Sequence, residues 1–313
     1  MTETILVIGA TGYLGRHLVS ELHARGYRIT ALARNRERAL GPGPFGSPAL
    51  AGLVDEWVIG DVTNPAITDG ICDDVDRVVS SLGVTRQKSD PWDIDFTANL
   101  AVLRDAERSA VRSFGYVSVL HSETGTSLTM RAKTAFAETA SRSRIPTQIF
   151  KPSGYFSDLT DLLTMARAGM SLHLGTGETR LNPIHGADLA HFIVDRVPDA
   201  PGQWDVGGPD ILTFRQVEEL AFAAVGKKPH SVGVPAPVLR SAEWIADRMS
   251  PRVGNLTRFF SEGLVTDAVG LPTGTHRIAD YFREQAAPAS ADSASDHHGP
   301  PSAPRASGAD PVG

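Results

Sequence analysis

Hydrophobic positions in the first half of the chain follow two alternating rhythms. Ile5-Leu6-Val7-Ile8 is an unbroken apolar run that stops at Gly9, as expected for a strand covered on both faces. Leu14, Leu18 and Leu22 then share one helical stripe, and Gly26 is placed to end that helix. Further strands are predicted over Arg28–Ala33, Trp57–Ile59, Arg77–Leu82, Phe114–Val119 and Thr147–Phe150. Longer helices are predicted over Asp95–Val111 and Ser127–Ser141. Continuous apolar strands separated by helices specify a parallel sheet with helices on both faces. The fold class is therefore α/β, a Rossmann-type doubly wound parallel sheet.

The second half reads differently. Gly175–Glu178 forms a turn, and Ala187–Val194 and Thr213–Val225 have helical patterns. These shorter pieces suit a small substrate lobe laid across the mouth of the sheet. The predicted organisation is a nucleotide-binding domain over 1–154 and a C-terminal lobe over 155–284, from which the chain is free to return to the sheet. From residue 285 to 313 Ala, Ser, Pro, Gly and Asp dominate, too little apolar surface to offset the entropy of ordering, so this tail is expected to be disordered. His297-His298 within it offers two ligands, too few for a metal site.

Composition narrows the function. A chain of 313 residues can bury a core without covalent staples. Its net charge of -6 argues against a general nucleic-acid binder. The single cysteine, Cys72, excludes an internal disulfide framework and any multi-thiolate metal site, and reads as structural sulfur. No basic segment precedes the first apolar run, which is too short for a signal sequence, and no apolar stretch reaches the about 18 residues of a membrane span. The expectation is a soluble, cytoplasmic protein that binds a small molecule, without nucleic-acid or membrane partners.

Gly9-Ala10-Thr11-Gly12-Tyr13-Leu14-Gly15 has GxxGxxG spacing between the first strand and the first helix. That spacing recurs by chance, but this position puts it where the positive end of the helix meets a pyrophosphate. Gly9 permits the tight turn, Gly12 lets the backbone approach phosphate, and Gly15 lets helix and strand pack closely. Gly9, Thr11, Gly12, Tyr13, Leu14 and Gly15 are thus read as the phosphate cradle. The end of the second strand selects the nucleotide. An NAD enzyme places an acid there for the ribose 2′-hydroxyl, whereas this chain reads Ala33-Arg34-Asn35-Arg36-Glu37-Arg38. Arg34 can pair a 2′-phosphate bidentately, with Arg36 or Arg38 adding to the field, so NADP(H) is expected over NAD(H). Asp61 and Val62, after the third strand, are placed to meet the adenine. Ser81, Leu82 and Gly83 are placed near the middle of the cofactor.

The whole pattern resembles an atypical or extended short-chain dehydrogenase/reductase of the NmrA-like branch, over roughly residues 3 to 283. The likeness rests on the glycine loop, Gly60-Asp61-Val62, Tyr116-Val117-Ser118, Lys133, Lys151-Pro152-Ser153-Gly154-Tyr155 and Asn182-Pro183-Ile184-His185-Gly186-Ala187-Asp188-Leu189-Ala190. The resemblance implies a sheet of about seven strands with a small C-terminal lobe, and places Pro152, Ser153 and Gly154 on the nicotinamide side. Dehydrogenases of that group carry a Tyr four residues before the Lys, on the same helical face. Here that position is Thr129. A threonine hydroxyl does not ionise near neutral pH, so the usual alcohol–ketone proton relay is missing. Lys133 can still hold the nicotinamide ribose or act as the acid. Tyr155, Ser118 and His121 are the alternative proton-handling candidates. His185 is read as structural, and Asp188 as stabilising the helix it opens.

These readings point to an NADP(H)-dependent reductase that passes hydride to a conjugated carbon–carbon double bond or an activated carbonyl. Two alternatives keep the nucleotide. One is a non-catalytic NADP(H) sensor or scaffold that signals through a protein partner. The other is a redox-neutral isomerase or epimerase. Leu159, Leu162, Leu163, Met165, Trp244, Phe259 and Phe260 are equally readable as an apolar substrate pocket and as core.

Overall fold

The computed structural model describes residues 2–84, 89–198 and 200–287. The predicted tail beyond 287, with His297-His298, lies outside the described residues. In chain order the first half contains β1 (Thr4–Ile8), α1 (Tyr13–Ala24), β2 (Arg28–Ala33), α2 (Arg36–Leu40), β3 (Glu56–Ile59), α3 (Pro65–Thr68) and β4 (Arg77–Ser80). A π-helix over Trp92–Ala98 leads into α4 (Asn99–Arg108), followed by β5 (Ser113–Val117), α5 (Leu128–Ala140) and β6 (Thr147–Pro152). The second half contains α6 (Asp161–Ala168), β7 (Ser171–Leu174), β8 (Arg180–Leu181), α7 (Gly186–Arg196), β9 (Gly202–Gly207) and β10 (Leu212–Thr213). It closes with α8 (Phe214–Ala224), β11 (Ser231–Val234), α9 (Ala236–Met249), α10 (Pro251–Val265), β12 (Leu271–Pro272) and α11 (Ile278–Ala286).

The main sheet has eight parallel strands in the order β12-β9-β6-β5-β4-β1-β2-β3. Its two faces explain the unbroken apolar run of β1. Ile5 and Val7 pack with Leu14, Leu18 and Leu22 of α1 and Phe192 and Ile193 of α7. Leu6 and Ile8 pack with Val102, Leu103 and Ala106 of α4 and Phe136 of α5. Each large side chain so buried contributes about 1.5–3 kcal/mol. Gly26, at φ +80°, ends α1 as expected: Tyr27 N donates to Leu22 O at 3.1 Å and Gly26 N to His23 O at 2.9 Å.

Several boundaries differ from the sequence expectation. The fourth strand stops at Ser80, because the chain must turn there to leave the sheet beside Gly9. The long helix begins as a π-helix and ends at Arg108, before Ala110 takes a left-handed φ of +54°. The chain returns to the sheet through β9 and β12. Ile278, Tyr281 and Phe282 anchor α11 in a third apolar cluster with α6 and α8, so this helix takes in the first two residues of the expected tail. Asn182, fully buried, ties the returning segments together. Its Nδ2 donates to the carbonyls of Gly208 and Gly270, both at 3.0 Å, and its Oδ1 accepts from Gly270 N at 2.9 Å.

Candidate functional site

The glycine loop leaves β1 and enters α1 in a geometry that only small residues tolerate. Gly9 has φ +81°, and a Cβ there would stand 3.0 Å from Leu82 N. Gly12 N-caps α1 from an extended conformation, and no side chain caps the helix. The first turn holds no acid, so the partial positive charge at that end is left for an anion. Thr11 and Gly12 line a cleft of about 380 Å³ at the carboxyl ends of β1 to β4, together with Arg34, Asp61, Val62 and Ser81. Leu82 and Gly83 complete its far wall. A glycine cradle, an uncapped helix end and an exposed arginine fit the phosphates of a nucleotide.

Arg34 and Asp61 follow neighbouring strands and both border the cleft. Thr63 donates to Asp61 Oδ1 from its backbone N at 2.9 Å and its Oγ1 at 2.7 Å. Those two bonds, with the charge of Arg34, hold the Asp61 carboxyl below its ordinary range, so it is an acceptor at neutral pH. Arg36 opens α2, and Asn35 Oδ1 caps that helix by accepting from Arg38 N at 3.1 Å. Beneath this segment lies Arg16, only 4% exposed. Its guanidinium donates to the carbonyls of Thr11, Arg38, Ala39, Gly41 and Pro48 and so pins the 38–48 loop to the start of α1.

Behind Gly83, which lines the cleft after β4, lies the buried Lys133. Its Nζ lies 2.8 Å from Oδ1 of Asp95, a carboxylate with no exposed surface. A Cβ on Gly83 would stand 2.8 Å from that Nζ, so lysine and glycine are immediate neighbours. Burial raises the Asp95 carboxyl, opposed by the Lys133 charge and by Val84 N, which donates to Oδ2 at 3.0 Å. Thr129 is buried one turn earlier on α5, its Oγ1 accepting from Asn255 Nδ2 of α10 at 3.2 Å. Asn255 also caps α5 by accepting from Leu128 N at 2.6 Å, and Glu262 takes the backbone N–H groups of Thr126 and Ser127.

The other expected site residues take varied positions. Tyr13 keeps its backbone at the start of α1 while its hydroxyl accepts from Gly186 N at 3.1 Å, and Leu14 is core. Gly15 serves packing, since a Cβ there would overlap the Gly9 carbonyl. Ser118 is buried, its Oγ 3.4 Å from Ser122 Oγ. His121 sits at φ +60° and engages the Asp267 carbonyl through Nε2 at 2.9 Å. Pro152 is buried at the end of β6, Ser153 Oγ donates to Asn182 O at 2.6 Å, and Gly154 has φ +128°. Tyr155 packs edge-on against Tyr13, ring centroids 5.8 Å apart, and burial pushes its phenol up. Leu162 and Leu163 belong to the third core cluster, whereas Met165 and Trp244 are exposed. The side chain of Phe260 lies outside the described residues. Burial likewise pushes the Cys72 thiol up, which keeps it protonated. His185 N-caps α7, accepting from Ala187 N through Nδ1 at 3.2 Å. Asp188 accepts from Thr275 N, His276 N and His276 Nδ1 at 2.8–3.0 Å, holding the loop before α11.

Sequence reasoning missed Asp95, Arg16 and Asn255. The only local signal for Asp95 is an acid placed between two apolar residues, Ile94 and Phe96. No group of three or more His, Cys, Asp or Glu among the described residues could hold a metal ion, and no described helix is long and apolar enough to cross a membrane.

Comparison with known proteins agrees with this geometry. Residues 9–199 match the family described as NAD(P)H-binding. The chain is 30% identical over 273 residues to the chloroplastic divinyl chlorophyllide a 8-vinyl-reductase of Zea mays, covering 79% of this chain and 65% of that protein. It therefore spans under two thirds of the length of that relative. The photosystem II assembly factor Ycf39 of Guillardia theta is 27% identical over 196 residues, 61% of this chain and 59% of its own. An Escherichia coli NADPH-dependent quinone oxidoreductase, solved with NADPH, shares the fold with a TM-score of 0.71 at 16% identity, covering 90% of this chain and 99% of that one. The glycine loop, the parallel sheet and the match across most of both establish that the chain belongs to the NAD(P)H-binding, NmrA-like family of atypical short-chain dehydrogenases/reductases.

Proposed function

We propose that the protein is an NADP(H)-dependent reductase acting on a small, partly apolar organic molecule, at a conjugated carbon–carbon double bond or an activated carbonyl. The observation that carries this reading is the Lys133 ammonium, held against Gly83 at the end of the cleft, with Thr129 where a phenol relay would need a tyrosine. The cofactor, when bound, supplies hydride. The chain supplies the rest. The loop from Gly9 to Gly15 receives the pyrophosphate, Arg34 pairs the 2′-phosphate, and Asp61 and Val62 face the adenine. Ser81, Leu82 and Gly83, with Pro152, Ser153 and Gly154, wall the reaction end. Lys133 orients the ribose or delivers the proton; binding and orientation of this kind are what the protein supplies in a cofactor enzyme. A relative named for reducing a vinyl group supports the carbon–carbon option.

The test is calorimetric titration with NADPH and NADH, followed by a screen of enones, quinones and vinyl-substituted tetrapyrroles for substrate-dependent NADPH oxidation. Micromolar NADPH binding that Arg34→Ala weakens selectively, with turnover of one of these classes, is the expected result. Absence of binding by either nucleotide overturns it. A second reading, an NADP(H)-responsive scaffold, is favoured by Thr129 and by the relative named as an assembly factor. Nucleotide binding without turnover of any class, and with a protein partner whose affinity changes between NADPH and NADP+, would select it.

A further inference from the structure

Asp95 has no counterpart in the chemistry described so far. It is the central residue of the only π-helix among the described residues, and π-helical turns inside helices are frequent at functional sites. Withdrawing a carboxylate from water costs several kcal/mol unless it is paired, so full burial at this place needs a reason. One of its oxygens is hydrogen-bonded and the other is partnered only by an ion pair. Oδ2 accepts from Val84 N at 3.0 Å and Oδ1 meets Lys133 Nζ at 2.8 Å. A Cβ on Gly83 would stand 2.8 Å from Nζ and 2.9 Å from Oδ1, so the ion pair lies directly beneath the glycine that walls the cleft. The Tyr116 ring of β5, its centroid 5.7 Å from Nζ, flanks the ammonium.

We propose that Asp95 is a positioning residue for Lys133, fixing its ammonium against Gly83 as its ion-pair partner. This rests on the reductase reading. Among the described residues, the charged or titratable groups facing Lys133 are Asp95 from the π-helix and Tyr116 from β5; Asn255 and Glu262 of α10 occupy the capped end of α5 instead. An opposite charge at hydrogen-bond distance favours the protonated amine, whereas burial alone would favour the neutral one. In reduction of a double bond one atom takes hydride and the other needs a proton. That proton comes from a Lys133 N–H bond, which breaks as the new C–H or O–H bond forms, and the amine regains a proton from water. Asp95 neither gives nor takes the proton in this step, so the cycle consumes one solvent proton per hydride.

The experiment reads the pH dependence of Lys133 acetylation by acetic anhydride, by peptide mass spectrometry on the full chain, with Lys151 as internal standard. Wild type is compared with Asp95→Asn and Asp95→Glu, and NADPH binding is measured on each by calorimetry. The expected result is that Asp95→Asn moves half-modification of Lys133 down by about one pH unit or more, a tenfold gain in reactivity at fixed pH. Lys151 should not move, and Asp95→Glu should restore the wild-type profile. A Lys133 profile that Asp95→Asn leaves in place overturns the proposal and reduces the pair to a structural contact. If Asp95→Asn does not fold, Asp95→Glu decides: a retained profile supports charge pairing, and a displaced one overturns it. Failure of wild type to bind NADPH would sink the reductase reading while leaving the labelling result intact, so the two fail separately.

Discussion

A methyl group on Gly15 would stand 2.1 Å from the carbonyl oxygen of Gly9, inside the contact distance of any two heavy atoms. The third glycine of the loop thus sets how closely α1 approaches β1, and through that the position of the helix end that faces the cleft. Gly15→Ala should force α1 away from the strand at a cost of about 1–3 kcal/mol, the usual range for overpacking. NADPH affinity should fall with it, because the first-turn N–H groups move as a unit. Thermal melts and calorimetry on the same samples check this. Wild-type affinity in a folded Gly15→Ala protein would show that the loop relaxes without moving the helix.

Arg16 makes a second prediction about the same end of the site. Its buried guanidinium satisfies five main-chain carbonyls and links the glycine loop to the segment that follows Arg34. Arg16→Met keeps the unbranched apolar stem of the side chain but leaves those carbonyls without their donor, at about 1–3 kcal/mol for each buried group that water does not reach. The protein should lose stability, and affinity for NADPH should fall more than affinity for NADH, since the loosened segment follows directly on Arg34, the residue proposed to pair the 2′-phosphate. Equal losses for both nucleotides would restrict Arg16 to a purely structural role.

What the sequence makes legible here follows from where side chains face. Ile5 to Ile8 announce a buried strand because both faces of the sheet are covered, and Arg34 announces itself because it ends a strand where an acid is expected. Arg16, His17 and Asp95 do not, since a charged or polar residue in a helical stretch reads as a solvated face, and only tertiary structure reveals carbonyls or an ammonium against it. β9 escapes for a related reason: Gly202-Gln203-Trp204-Asp205-Val206-Gly207 alternates polar and apolar residues between two glycines, and its pairing partner β6 lies about 50 residues away in sequence. His121 illustrates the reverse. Its residue type suits proton transfer, but the fold spends its Nε2 on the Asp267 carbonyl.

His17 and His185 give the fold a defined acid sensitivity. Their rings lie 5.2 Å apart, with His276 stacked on His185 at 4.2 Å. Burial and then the neighbouring histidines push both groups down to about 4, and for His185 the nearby Asp188 only partly opposes this. In the unfolded chain both titrate near 6.5. Between those values the unfolded chain binds protons that the folded state refuses, so stability falls as pH drops from about 6.5 towards 4, and these groups contribute no slope above that window. The pair together should cost about 2–5 kcal/mol across it, allowing for partial exposure. Urea midpoints measured from pH 7.5 to 4.5 should decline over that interval, and the His17→Gln/His185→Gln double variant should flatten the decline. A slope unchanged in the double variant would trace the acid sensitivity to other groups.

Thr129 yields the prediction that bears most directly on chemistry. Restoring a tyrosine four residues before Lys133 supplies the phenol of an alcohol–ketone relay, but the space is taken. Thr129 is 4% exposed, and its hydroxyl is held by Asn255, which also caps α5 at Leu128. A phenol there must displace Asn255 and with it the α10 contacts that Glu262 makes to Thr126 and Ser127. Thr129→Tyr should therefore lower the melting temperature by several degrees, consistent with about 1–3 kcal/mol of overpacking, and should confer no oxidation of simple alcohols with NADP+. The clean comparison is Thr129→Tyr with and without Asn255→Gly, which opens room beside the ring. Alcohol oxidation gained by the single variant at unchanged stability would mean that α10 does not close this position. Activity gained only in the double variant would mean that the α10 contact, and not the cofactor end of the cleft, keeps this chain from acting on alcohols.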